Sequence, residues 1–229
     1  PNQANISSHT WYSWSVFAQE AFSALGSGRP NQMPPPVIPI DYSTEHSRDY
    51  SSVEAETFVR SCKLAVIATQ INKNRRSDSS GFANLQLQLD AWYNSLPHGS
   101  LVRQRYWWIL LRIHFPLYRR SQSNNSSIGS DEDQSVNMCN RATENLVQLF
   151  AEFDARYTLR YFPENLLQAI TLCGDTLLLE RNRSPDSAPE KREKVEEGIN
   201  LCIRSLRAVG ETWTYALSLV AEFQARVAG

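Results

Sequence analysis

The stretch Trp11-Tyr12-Ser13-Trp14-Ser15-Val16-Phe17-Ala18-Gln19-Glu20-Ala21-Phe22-Ser23-Ala24-Leu25 is a helix-like aromatic run, and the residues after it set the architecture. Gly26-Ser27-Gly28-Arg29-Pro30 stops it, and Met33-Pro34-Pro35-Pro36-Val37-Ile38-Pro39-Ile40-Asp41 keeps it stopped. Gly26 can end a helix in the left-handed conformation, and the prolines forbid a restart. The chain must leave the helix and run extended along a surface. Upstream, Thr10 can cap the aromatic helix.

Beyond this stretch the period is helical nearly everywhere. Ser51 with Glu54 makes a capping-box pattern that opens a segment to about Asn72, with Val59, Cys62 and Val66 near one face. A helix over Phe82 to Leu96 turns Leu85, Leu89, Trp92 and Leu96 inward. After Pro97-His98-Gly99-Ser100, Ser100 caps Leu101 to about Arg119. Apolar residues cover nearly the whole circumference of that helix, which places it at a core, and Pro116 is expected to kink or end it. Ser121 to Gln134 is a low-complexity Ser/Asn/Asp segment expected to be mobile, because it lacks apolar groups to offset its ordering entropy. Val136 to Arg160 is helical again, with Cys139, Leu146, Leu149, Phe150 and Phe153 inward. Pro163 suits the first position of the next helix, to about Arg181. Pro189 opens Glu190 to Val209, and a last helix from Glu211 to Val227 carries Trp213, Leu217, Val220 and Phe223 toward one side. The fold class expected for residues 1–229 is all-α: a single irregular bundle of about eight helices with an extended Pro-rich segment.

Composition narrows the function. Twenty-three basic against 24 acidic residues leave a net charge of -1. A surface that neutralises phosphates carries a concentrated positive surplus, so direct DNA reading by this chain is not expected. Arg75-Arg76, Arg119-Arg120 and Lys191-Arg192 with Lys194 are short clusters that read as solvated helix ends or loops. Cys62, Cys139, Cys173 and Cys202 stand singly in four segments without a Cys-x-x-Cys pair, which fits reduced, packed thiols in an intracellular compartment and no metal site. The start is not a signal peptide, and Tyr106 to Tyr118, the most apolar stretch, is too short to span a bilayer. A soluble protein without membrane partners is expected.

Four motifs recur in a recognisable order. The first is the Trp11 and Trp14 helix with Gly28-Arg29-Pro30 and the extended Ile/Pro/Asp segment. The second is Trp92-Tyr93-Asn94-Ser95-Leu96-Pro97. The third is Tyr106-Trp107-Trp108-Ile109-Leu110-Leu111, closed by Pro116-Leu117-Tyr118-Arg119-Arg120. The fourth begins at Cys139-Asn140-Arg141-Ala142-Thr143, continues through Leu166-Leu167-Gln168-Ala169-Ile170, and ends on Cys202, Leu206, Trp213 and Ala216. Together they resemble the middle homology region of fungal zinc-cluster transcription factors. The sequence departs from that pattern at Gln19-Glu20, where an Asp-Arg is often found, and at Arg112-Ile113-His114-Phe115, which reorders a Leu-His-Arg-Pro-Phe ending.

The resemblance implies a nuclear protein whose helical regulatory domain restrains or licenses transcriptional activation. Its implied partners are other regions of the same factor, regulatory proteins or a small-molecule effector. DNA would be bound, and zinc held, only by the family's upstream six-cysteine module, which these residues do not include. The motif residues Trp11, Trp14, Trp92, Trp107, Trp108 and Trp213 read as packing elements, and Leu96-Pro97 as a proline stop after the Trp92 helix. Arg29 has two readings: a fork that pins the extended segment to a helix through a carboxylate or helix-end carbonyls, or a solvated loop arginine. No catalytic constellation is legible, because His9, His46, His98 and His114 are scattered and Asp131-Glu132-Asp133 lie in the Ser/Asn-rich segment. The chain is therefore not expected to be an enzyme. Two readings from other classes stand beside the regulatory one: a helical protein–protein scaffold with no gene-regulatory role, and a helical small-molecule enzyme.

Overall fold

The 3.6-residue apolar period turns into helix throughout the computed structural model, which describes residues 3–40, 52–74, 79–97, 102–121, 130–183 and 189–228. Among the described residues there are eight α-helices and no strand: α1 Gln3–Ser27, α2 Ser52–Lys73, α3 Ser79–Asn94, α4 Arg103–Ser121, α5 Ser130–Tyr157, α6 Leu167–Arg183, α7 Pro189–Gly210 and α8 Ala216–Ala228. Single 3₁₀ turns at Leu159–Tyr161 and Glu164–Leu166 join α5 to α6. The chain divides into two compact units, Pro1–Arg103 and Gln104–Gly229, where the sequence reads as one helical domain. Among the described residues no helix is long and apolar enough to cross a membrane.

In the first unit α1 lies along α2, and α2 carries α3. Ala21 and Ala24 are fully buried beside Phe17 and Leu25 on α1, facing an α2 core of Leu64, Ala65 and Ala68. Small residues at the crossing let the two backbones approach, and the aromatics fill the flanks. Trp11 stacks on Phe58 with ring centroids 4.5 Å apart. Leu85, Leu89, Trp92 and Leu96 are buried as the period of α3 requires.

In the second unit α6 touches α5, α7 and α8. Tyr106 to Leu111 on α4 are all buried, in keeping with an apolar circumference. Glycines set two of the closest approaches in this unit. A Cβ on Gly174 would stand 2.8 Å from Cε2 of Phe223, a fully buried side chain on α8. A Cβ on Gly198 would stand 2.9 Å from Cδ1 of Leu177.

Several element boundaries differ from the sequence reading. Helix α1 begins seven residues before Thr10 and runs through Gly26 to Ser27, and it is Gly28 that takes the positive φ, 74°. The N–H of Arg29 then bonds to the carbonyl of Ala24 at 3.1 Å, the six-to-one closure of a Schellman end. Gly28 is placed to make that closure; Gly26 is not. Pro116 neither ends nor interrupts α4, which continues to Ser121. Pro116 lies on the exposed side of the helix, where the preceding turn can open toward water to make room for the ring. Helix α5 starts at Ser130, so Asp131-Glu132-Asp133 belong to its first turn and not to a loop. It ends at Tyr157, where Thr158 adopts a φ of 61° and the Asp154 carboxylate accepts the Leu159 N–H at 3.2 Å. The last helix starts at Ala216, and Trp213, expected inward, sits in the preceding turn 39 % exposed, with Leu217 at 50 %. The cause is the tight turn after Gly210, in which Trp213 N–H bonds to the Val209 carbonyl at 2.8 Å and Leu217 folds over Gly210. Asp41, Ser51, Arg75-Arg76, Ser100 and the 122–129 part of the low-complexity segment lie outside the described residues.

The glycine at the α6–α8 crossing yields a direct test. Gly174→Ala should destabilise the protein by about 1–3 kcal/mol, because the fully buried Phe223 ring must shift to admit the added methyl. Urea unfolding followed by circular dichroism measures it, and a change under half a kcal/mol (about the spread of neutral surface changes) would contradict the close packing described.

Candidate functional site

Two places in the structure bring chemistry together, one in each unit. In the first, the residues after α1 form a strap. Arg29 reaches back nine residues and donates from both terminal nitrogens to Glu20, Nη1 to Oε1 and Nη2 to Oε2, each at 2.6 Å. The planar fork matches the carboxylate oxygens one to one, a geometry lysine cannot supply. Glu20 also accepts the backbone N–H of Gln32 at 3.1 Å. The hydrogen bond from Arg29, against a burial effect in the other direction, holds the Glu20 carboxyl below its ordinary value.

From α2, Asn72 Nδ2 donates to the Arg29 carbonyl at 2.6 Å and Asn31 Nδ2 donates to Thr69 Oγ1 at 3.0 Å. Farther on, the indole N–H of Trp14 donates to the Ile38 carbonyl at 2.9 Å, and Ile40 is buried. Gly28, Arg29, Pro30 and Trp14 of the first motif thus converge on one joint, and Arg29 is the pinning fork of the two readings. The second motif makes a similar joint. Trp92 donates from Nε1 to the Arg60 carbonyl at 2.9 Å, and Arg60 Nη1 donates to Ser95 Oγ at 3.1 Å, so α3 is fixed to α2 just before Leu96 and Pro97.

The second place is a groove of about 700 Å³ walled by α5 and α7 and floored by α6. The α5 wall is the stripe Asn140, Thr143, Val147 and Ala151, with Glu144 and Gln148 beside it. The α7 wall is Val195, Gly198 and Leu201, with Lys194, Glu197 and Arg204 exposed along the rim. Residues three and four apart share a helix face, so each wall is one continuous stripe. The α7 stripe from 191 to 204 is about 20 Å long at 1.5 Å per residue. Gly198 lets α7 close on Leu177 and keeps the floor shallow.

One end of the groove holds a buried carboxylate. Glu180 accepts the Tyr118 hydroxyl at 2.6 Å on Oε2 and pairs with Lys191 through Oε1. Burial alone would raise the Glu180 carboxyl, but the bonds from Lys191 and Tyr118 and the charge of Arg183 overcome it and leave it below the ordinary value. The same contacts run the other way at the phenol: burial first, then Glu180, push Tyr118 far above the usual tyrosine range. This end of the groove is therefore a fixed ion pair at neutral pH.

The remaining sequence candidates take structural places. Tyr106 and Trp107 meet edge to face at 4.7 Å, the Arg141 guanidinium lies 5.6 Å from the Trp107 ring centroid, and Trp108 is 1 % exposed. All four cysteines are buried thiols outside any disulfide; burial pushes the Cys139 thiol up to about 12, and burial with the neighbouring Cys202 raises Cys173. Among the described residues no three His, Cys, Asp or Glu side chains stand close enough to share a metal ion. The groove itself was missed in the sequence. Its only trace there is that polar Asn140, Thr143 and Gln148 recur on one face of α5, beside the stripe that packs inward.

The strap makes a pH-dependent prediction. Glu20 is depressed in the folded state, so its contribution is present above the unfolded carboxyl value and is lost as pH falls through the lower folded one. Acid unfolding of the first unit should therefore begin at higher pH in Arg29→Lys, and Glu20→Gln should flatten the stability profile below about pH 4.5. Thermal melts across the acid range measure both, and superimposable profiles would remove Arg29 from the joint.

Comparison with family models, curated proteins and solved structures finds no match.

Proposed function

We propose that this chain is the regulatory domain of a fungal zinc-cluster transcription factor, one that restrains or licenses activation in the nucleus when an effector binds. The single observation that carries the reading is the α5–α7 groove, a recess with apolar residues on both walls and charged residues along its rim in an all-helical body. Ligand sites in proteins are recesses of this kind, about 300–1,000 Å³, mostly apolar and with a few placed polar groups. The family assignment is supported by the order of the four motifs. Their residues serve here as joints, Arg29 to Glu20, Trp14 to Ile38 and Trp92 to Arg60, which is what a domain that must hold one shape needs.

The mechanism has two states. In one the domain packs against the rest of the factor and silences it; in the other it is released, and an effector with higher affinity for that state shifts the balance. A tenfold preference is worth about 1.4 kcal/mol, and coupling energies of this kind run to about 3 kcal/mol.

One observation favours a second reading. Tyr157, Tyr161, Trp213 and Tyr215 are each at least 39 % exposed on the second unit, and exposed aromatics are common anchors of protein interfaces. On that reading the chain is a helical scaffold without a gene-regulatory role.

A reporter assay separates the two. Placed between an unrelated DNA-binding domain and an unrelated activation domain in a fungal cell, the chain should lower reporter output several-fold relative to a flexible linker of equal length. Arg29→Ala with Glu20→Ala should relieve that restraint. Output unchanged by the chain would eliminate the regulatory reading and leave the scaffold.

A further inference from the structure

An apolar strip lies open on the first unit. From Met33 to Pro39 every residue except Pro36 is exposed, Val37 at 97 % and Ile38 at 53 %. Single exposed apolar side chains are ordinary, but a contiguous run of them marks a contact surface. Its backbone is set by its own residues. Each proline fixes φ near about -65°, and Met33, Pro34, Pro35 and Ile38, which precede prolines, are biased to extended conformations. The chain bends at Met33 and again at Val37 and Ile38, and the straight run Pro34–Pro36 between is one turn of polyproline II, at about three residues per turn.

Both ends of the strip are held by the fold. Before it, Glu20 accepts the Arg29 fork and the Gln32 N–H, and Asn72 holds the Arg29 carbonyl. After it, the Trp14 indole holds the Ile38 carbonyl and Ile40 is buried. The exposed segment is therefore presented already ordered, and a partner does not have to supply that ordering.

Chemistry restricts what can cover it. Pro34, Pro35, Pro36 and Pro39 have no N–H, so a strand from a second copy cannot pair along the strip. No charged residue stands between Pro30 and Ile40, and the cation that flanks them in sequence, Arg29, is committed to Glu20. The complement of an uncharged row of proline rings is an uncharged row of aromatic side chains. A proline-binding groove that also needs a cation for an acidic pocket finds none within the strip, so charge complementarity selects the neutral kind.

We infer that Met33 to Pro39 is the docking surface for a partner protein with an uncharged, aromatic-lined groove of the kind that receives polyproline II segments. This goes beyond the regulatory reading and does not depend on the α5–α7 groove.

The test titrates the full chain into dye-labelled isolated WW and EVH1 domains, followed by fluorescence anisotropy, with an SH3 domain for contrast. Saturable binding to at least one of the first two is expected, with the SH3 domain, whose groove carries an acidic pocket, at least about tenfold weaker. Pro35→Ala with Val37→Asp should weaken the binding at least about tenfold and leave the melting temperature unchanged, because both positions are exposed. Trp213→Ala, on the second unit, should leave the binding as it is. A synthetic peptide of residues 30–40 should bind about tenfold more weakly than the chain, since it must be ordered first. Raising NaCl from about 50 to about 500 mM should move Kd less than about twofold. The inference is overturned by absence of saturable binding to both the WW and the EVH1 domain, by binding that the double substitution leaves intact, or by a free peptide as tight as the chain. Sedimentation that shows a dimer of the chain, abolished by the double substitution, would also overturn it and give the strip to a second copy.

Discussion

A buried indole N–H is costly to leave without an acceptor, and meeting that cost at Trp14 shapes the first unit. The ring of Trp14 contributes a large apolar area to the α1–α2 core, but its nitrogen would be costly to leave unpaired there. The carbonyl that satisfies it belongs to Ile38, more than 20 residues downstream, so the chain after α1 has to return along the helix it has just left. The left-handed Gly28 turns the chain, and the Arg29–Glu20 fork holds it down. Trp92 obeys the same rule at the Arg60 carbonyl and fixes α3 on α2. Helix-ending residues, extended strap and helix–helix joint all depend on where two indole protons go.

The second unit solves a different problem, a carboxylate in an apolar setting. Glu180 is only 9 % exposed on a helix whose buried residues are mostly apolar, with four leucines among them. It stays ionised because a phenol and an ammonium reach it from α4 and α7. Pairing one partner to each oxygen satisfies the charge and fixes the three helices in register. The ion pair also closes one end of the groove, so the element that costs most to bury marks the limit of the space available to a ligand.

The contrast between the two units bears on function. In the strap Arg29, Asn31, the Gln32 N–H and the Ile38 carbonyl all have partners, and such networks rigidify. Along the groove Lys194, Glu197 and Arg204 stand open to solvent.

Residue pattern alone established the all-helical class, the stop after α1 and most of the core. Leu85, Leu89, Trp92 and Leu96 on α3, and Cys139, Leu146 and Phe150 on α5, are buried where a 3.6-residue period puts them. Those features are local, set by backbone preference and by the side a residue faces. The pattern left the role of Arg29 open between two readings and put Trp213 inside, because each depends on contacts that no period encodes: the Glu20 carboxylate one helix back for the first, and the turn after Gly210 for the second. The groove was beyond its reach altogether. A recess is the space between α5, α6 and α7, and only the distances at which Leu177 and Gly198 let those helices settle decide whether that space exists.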